Sequence, residues 1–197
     1  MIRLFTLLVL TLGFISCTKC HLKGNELLNE SFDSEGDWYL ISDISNVDDI
    51  YSRVEDGMLK MKTFQGYNCN RATYYFDQDF SDIKGFEACI HIKEFYAPKK
   101  VNVHFYISLG EYVLHASINQ RKTKNTALKL IYNDKGIRSN LKGAMVGFVD
   151  QEELKPDTTI LAPTNPNFIQ ISLCPESWED STGELYIAID GIEIVTL

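Results

Sequence analysis

F-E-A-C-I-H-I-K-E-F, residues Phe86 to Phe95, is the stretch whose reading decides the fold. Apolar Phe86, Ala88, Ile90 and Ile92 alternate with Glu87, Cys89, His91 and Lys93. A period of two is that of a β-strand with one face on a core and the other toward water. V-N-V-H-F-Y-I-S-L, from Val101 to Leu109, repeats the pattern, with Asn102, His104, Tyr106 and Ser108 on the outer face. Y-V-L-H-A-S-I-N, from Tyr112 to Asn119, does so again with His115, Ser117 and Asn119 outside. Three such stretches in succession predict antiparallel sheets with one apolar face each, and two such faces make a sandwich.

Working outward, further strand-like runs are separated by turn residues. Ser31 to Leu40 opens the domain, and Tyr51 to Phe64 reads as a hairpin turning at Glu55-Asp56-Gly57. Arg71 to Phe80, Ala127 to Asn133, Phe168 to Leu173 and Glu184 to Ile189 follow, and the last run turns through Asp190-Gly191 into Ile192 to Leu197. Asp150 to Asn167, with Pro156, Pro163 and Pro166, reads as a long loop. The expectation is an all-β, two-sheet antiparallel β-sandwich over residues 27–197.

The order of F-D-S-E-G-D-W (Phe32 to Trp38), E-D-G-M-L (Glu55 to Leu59), G-F-E-A-C-I-H-I (Gly85 to Ile92) and E-L-Y-I-A-I-D-G-I-E-I (Glu184 to Ile194) resembles the concanavalin A-like lectin/glucanase and laminin-G-like jelly rolls. The resemblance implies a jelly roll closed by a hairpin at Asp190-Gly191. It implies no particular function, because this architecture hosts many.

At the N-terminus, Arg3 precedes an apolar run, Leu4 to Leu12, and Phe14-Ile15-Ser16-Cys17 places a small residue before a cysteine. That order is the pattern of a secretion signal, and the cysteine makes it resemble a bacterial lipoprotein signal. The 13 residues from Leu4 to Ser16 are too few to span a bilayer, which takes about 20. Residues 1–16 are therefore expected to be a signal peptide, Cys17 a lipidated residue held in the bilayer, and residues 17–26 a polar tether. The expected location is the bacterial cell envelope, and Thr18 in place of an aspartate favours the outer membrane.

A net charge of −8 repels nucleic acid and anionic surfaces, so no nucleic-acid partner is expected. Beyond Cys17 stand Cys20, Cys69, Cys89 and Cys174. Four cysteines outside the cytoplasm suit two disulfides with three connectivities, of which Cys89–Cys174 with Cys20–Cys69 is the one expected here.

Motifs for catalysis are missing. The chain has no E-x-D-x-x-E strand of the kind found in glycoside hydrolases of this superfamily, no G-x-S-x-G, no phosphate-binding glycine loop and no D-x-D-x-D-G calcium loop. Asp190 with Glu193, and Trp178-Glu179-Asp180 with Glu184, read as a turn and as a solvated loop. Parity instead places His91, His104 and His115 on the wet side of three successive strands, with Tyr106 and Asn119 beside them. Trp178, in a loop after Pro175, offers an exposed ring. Planar hydrogen-bonding groups around aromatic rings are what sugar recognition uses, so these six residues form the candidate ligand set. Convergent histidines could equally hold zinc, and scattered loop oxygens calcium. The expected function is a non-catalytic, glycan- or surface-ligand-binding envelope lipoprotein. Its alternatives are a protein-interaction or structural envelope module and a diverged glycoside hydrolase.

Overall fold

The computed structural model describes residues 20–42, 49–64, 69–97, 102–118, 122–140, 144–148, 167–174 and 183–197. Cys17, Asn119, Trp178 and most of the Asp150–Asn167 loop lie outside the described residues. Within them there are thirteen strands and no helix. These are β1 (Asn25–Glu30), β2 (Trp38–Ile41), β3 (Tyr51–Glu55), β4 (Met58–Phe64), β5 (Asn70–Tyr75), β6 (Gly85–Tyr96), β7 (Asn102–Leu109), β8 (Tyr112–Ile118), β9 (Lys122–Asn133), β10 (Gly136–Ser139), β11 (Ala144–Phe148), β12 (Phe168–Cys174) and β13 (Glu184–Thr196). They form two antiparallel sheets. Sheet 1 runs β10-β9-β6-β13-β4-β3, with β1 also on β13, and sheet 2 runs β11-β8-β7-β12-β5-β2. The all-β sandwich read from the sequence is the observed architecture.

The core lies where the alternation places it. Phe86, Ala88, Ile90 and Ile92 of sheet 1 and Val103, Phe105, Ile107 and Leu109 of sheet 2 are buried in one cluster between the sheets. The β3–β4 hairpin turns at Asp56-Gly57, whose φ values of 54° and 67° are the left-handed pair such a two-residue turn requires.

Three expectations are corrected. First, β6 belongs to sheet 1 and β7 and β8 to sheet 2, so the three successive strands share no wet face and His91 lies on the opposite outer face from His104 and His115. Second, Asp190-Gly191 is no turn. β13 continues through it, and Asp190 is an extra residue that shifts the register against β6 between Ile189↔Ile92 and Gly191↔His91. Lys93 makes the reciprocal extra residue on β6, between Ile92 and Glu94. These bulges explain why the core set steps from Ile189 to Ile192 on β13, and from Ile92 to Phe95 on β6.

Third, the disulfides are Cys20–Cys89 and Cys69–Cys174, in place of the expected Cys89–Cys174 and Cys20–Cys69. Cys174 ends β12 and Cys69 precedes β5, and those strands are hydrogen-bonded neighbours with Leu173 opposite Asn70. Cys89 points outward from sheet 1, alongside Glu87 and His91 on the same strand, so the sandwich itself separates it from Cys174. Residues 20–24 instead run over that outer face, where Lys129 Nζ donates to the His21 carbonyl at 2.8 Å and the Lys23 N–H to Glu87 at 3.3 Å.

Candidate functional site

Sheet 2 assembles the site from its four central strands. β7 and β8 are joined at Gly110-Glu111, and the Gly110 N–H donates to the Asn167 side-chain oxygen at 2.7 Å. That hairpin sets Tyr106 directly opposite His115, and His104 opposite Ser117. On the other side, β12 sets Gln170 opposite Tyr106 and Ser172 opposite His104. β5 continues both rows with Thr73 and Arg71. Core residues alternate with each of these, so all point away from the core.

The rings form a stack. Tyr106 and His115 have centroids 4.6 Å apart and planes within 9°, and His104 stacks on His115 at 5.1 Å. His104 Nδ1 and His115 Nε2 are 2.8 Å apart, sharing one hydrogen bond whose donor depends on the tautomer. Beside the stack, the Thr73 hydroxyl donates to Gln170 Oε1 at 3.4 Å, and Gln170 Nε2 donates to the Ser172 hydroxyl at 3.0 Å. This line orients the Gln170 amide. Ser117, Ser172 and Thr73 are buried, so the small side chains form the floor between the rings.

Burial, and behind it the neighbouring His115, lowers the His104 pKa to about 4. Burial likewise lowers the His115 pKa and raises that of the Tyr106 phenol, the latter partly offset by the Arg71 guanidinium. Near neutral pH both imidazoles are therefore uncharged, each with a donor and an acceptor nitrogen. The consequence for stability has a definite sign. An unfolded histidine takes up its proton near pH 6.5, while the folded pair resists it, so the unfolded state binds more protons below that value. Stability from this pair is full above about pH 6.5, falls as the pH drops, and levels off once His104 protonates near 4. Urea unfolding across this window is expected to show a flatter pH slope in H104Q/H115Q than in the wild type. Equal slopes would mean that the pair is not held neutral.

His91 takes no part in this stack. On sheet 1 its Nε2 lies 2.9 Å from Glu193 Oε1 and 3.4 Å from Cys89 Sγ, which makes it a partner of the strapped N-terminal segment. Among the described residues, no group of three or more His, Cys, Asp or Glu side chains is placed to hold a metal ion. Gln170, Ser172 and Thr73 escaped the sequence reading, since only the long-range pairing of β12 with β7 and β5 brings them to the histidines. Trp38, by contrast, is buried, with its indole N–H donating to Glu30 at 3.1 Å.

No family model and no curated protein matches this sequence. Among solved structures, a sialidase is similar at 8% identity and a TM-score of 0.47, over 86% of this chain and 18% of that one. The chain thus spans under a fifth of the sialidase's length. A structure concerned with the endo-acting O-glycanases that prominent members of the human gut microbiota express to initiate mucin breakdown is similar at 12% identity and a TM-score of 0.45, over 88% and 100% of the two chains. A beta-1,3-glucanase from Mycobacterium marinum follows at 10% identity and 0.42, over 87% and 99%. All three have TM-scores below 0.5, and the fold and site described above rest on this chain's own strands.

Proposed function

We propose that this chain is a lipid-anchored, non-catalytic β-sandwich of the bacterial cell envelope that binds glycan on the outer face of sheet 2. The observation that carries the reading is the stack of His104, His115 and Tyr106 beside the hydrogen-bonded line Thr73–Gln170–Ser172. Sugar hydroxyls both donate and accept, and this face offers neutral groups that do the same, fixed in place by their neighbours. Retaining glycoside hydrolysis needs two carboxyls about 5–5.5 Å apart. The outward positions of β5, β7, β8 and β12 that are described carry no carboxylate, which supports binding over cleavage at this face. Anchoring through Cys17 is supported by the signal-like order of residues 1–17.

The test is a broad glycan array probed with the soluble chain from residue 18 onward, in calcium and in chelator. A saturable, sugar-specific signal that falls at least about tenfold in Tyr106→Ala is expected, a loss of about 1.4 kcal/mol. Silence across the array, or binding that Tyr106→Ala leaves intact, overturns the reading.

A further inference from the structure

We infer that sheet 1 is the membrane-facing side of the domain, so that the lipid anchor presents the binding face of sheet 2 away from the bilayer. The inference rests on the anchoring proposed above and adds an orientation to it. Cys17 and Cys20 are three positions apart in the sequence. A chain spans at most about 3.3–3.6 Å per residue, so the two α-carbons lie within about 11 Å of each other. Cys20 is covalently fixed to Cys89, which points outward from β6 in the middle of sheet 1. Lys129 holds the same strap through the His21 carbonyl while pairing with Glu87 at 2.8 Å. The covalent tie to Cys89 therefore keeps the start of the anchored segment on the outer face of sheet 1.

A second, independent feature of that face suits a headgroup layer. Tyr51, Lys62, Tyr186 and Tyr96 stand opposite one another on four adjacent strands, β3, β4, β13 and β6. They line an open cleft of about 420 Å³ together with Glu94 and Glu184. Tyrosine and lysine carry an apolar body and a polar end, and both collect where apolar and aqueous media meet. The acidic groups do not oppose contact as free charges, since Glu184 pairs with Lys62 at 3.1 Å and Glu94 with Lys124 at 3.0 Å. Tyr96 lies seven residues along β6 from Cys89, or about 20 Å at the rise of a strand. The anchor point and the tyrosine row together make a face long enough to lie flat on a bilayer.

Tyr96 and Tyr39 supply a reporter for each side. Among the described residues they are the exposed large aromatic ones, at 44% and 49%, on sheets 1 and 2 respectively. Full-length chain isolated from a bacterial host is reconstituted in zwitterionic phosphatidylethanolamine/phosphatidylcholine vesicles, oxidised with hydroxyl radicals and mapped by mass spectrometry. Cys17→Ser chain mixed with the same vesicles is the reference. Expected is at least about threefold less oxidation at Tyr96 in the lipidated chain, with Tyr39 unchanged. In C20S/C89S, lipid is retained but the contrast between the two tyrosines shrinks. Equal protection of both, protection of Tyr39 alone, or protection of neither in a chain whose mass shows the lipid overturns the orientation while leaving the anchor standing. A chain whose mass shows no lipid on Cys17 overturns the anchor, and the orientation with it. Glycan binding by the soluble chain is read separately and is untouched by either result.

Discussion

Replacing Cys69 and Cys174 together by alanine is expected to lower unfolding stability by about 4 kcal/mol, read as a fall in the denaturant midpoint. The bridge closes a loop of sequence separation 105. Chain entropy assigns a loop of that size about 4–5 kcal/mol, because the cross-link removes so many unfolded conformations. Cys20–Cys89, at a separation of 69, has nearly the same entropic value by loop length. Its loss should nevertheless cost less, about 2 kcal/mol, within the range of measured disulfide contributions. The difference arises in the native state. β5 and β12 stay aligned by six cross-strand pairs after their bridge is cut, so the folded protein regains little freedom. The strap ending at Cys20 is held by few hydrogen bonds, so it can peel from sheet 1 and recover entropy without unfolding the sandwich. The pairing also gives single variants a signature. Cys69→Ala should match Cys174→Ala, and Cys20→Ala should match Cys89→Ala apart from the packing of the buried Cys89. If Cys89→Ala matched Cys174→Ala instead, the two bridges would be assigned wrongly.

The alternation within a strand is a local property, whereas the pairing of distant strands is not. The faces of Val101 to Leu109 and Tyr112 to Asn119 follow from alternation and from the short Gly110-Glu111 connection, which makes them a hairpin. His104, Tyr106 and His115 were therefore legible as neighbours. His91 has the same local pattern, but nothing near Lys93 or Pro98 says that the chain crosses to the second sheet. Its partner, Glu193, is 102 residues away. Asp190-Gly191 fails for a related reason, since Asp-Gly between two apolar alternating runs is the usual hairpin signal. Only the reciprocal extra residue at Lys93 lets β13 run straight through, and that compensation lies on another strand. The Cys69–Cys174 bridge joins residues 105 apart because β12 lies beside β5, a pairing that no local pattern reports.

Gly85→Ala should be the most damaging of the conservative single substitutions at turns and strand ends, costing about 3–4 kcal/mol, the sum of local strain and displaced backbone. Gly85 has φ of +133°, in the region that residues with a side chain avoid. A β-carbon there would press against the Tyr132 carbonyl oxygen and lie 2.9 Å from the Asn133 α-carbon. Both are backbone atoms of β9, so no side-chain rotation relieves the contact. The position also joins three strands. Gly85 opposes Asn133 at the start of β6, and its carbonyl accepts from the Leu197 N–H at 2.9 Å, just past the end of β13. Moving it loosens the edge at which β6, β9 and the chain terminus meet, and buried Phe86 is the next residue. Gly57 is the control. Its φ is +67°, but nothing lies within 4 Å of the added carbon. Gly57→Ala should therefore cost only the left-handed penalty of about 1–2 kcal/mol. Equal losses in the two variants, measured by denaturant unfolding, would show that backbone conformation alone decides the cost. A larger loss at Gly85 would show that the approach of β9 decides it.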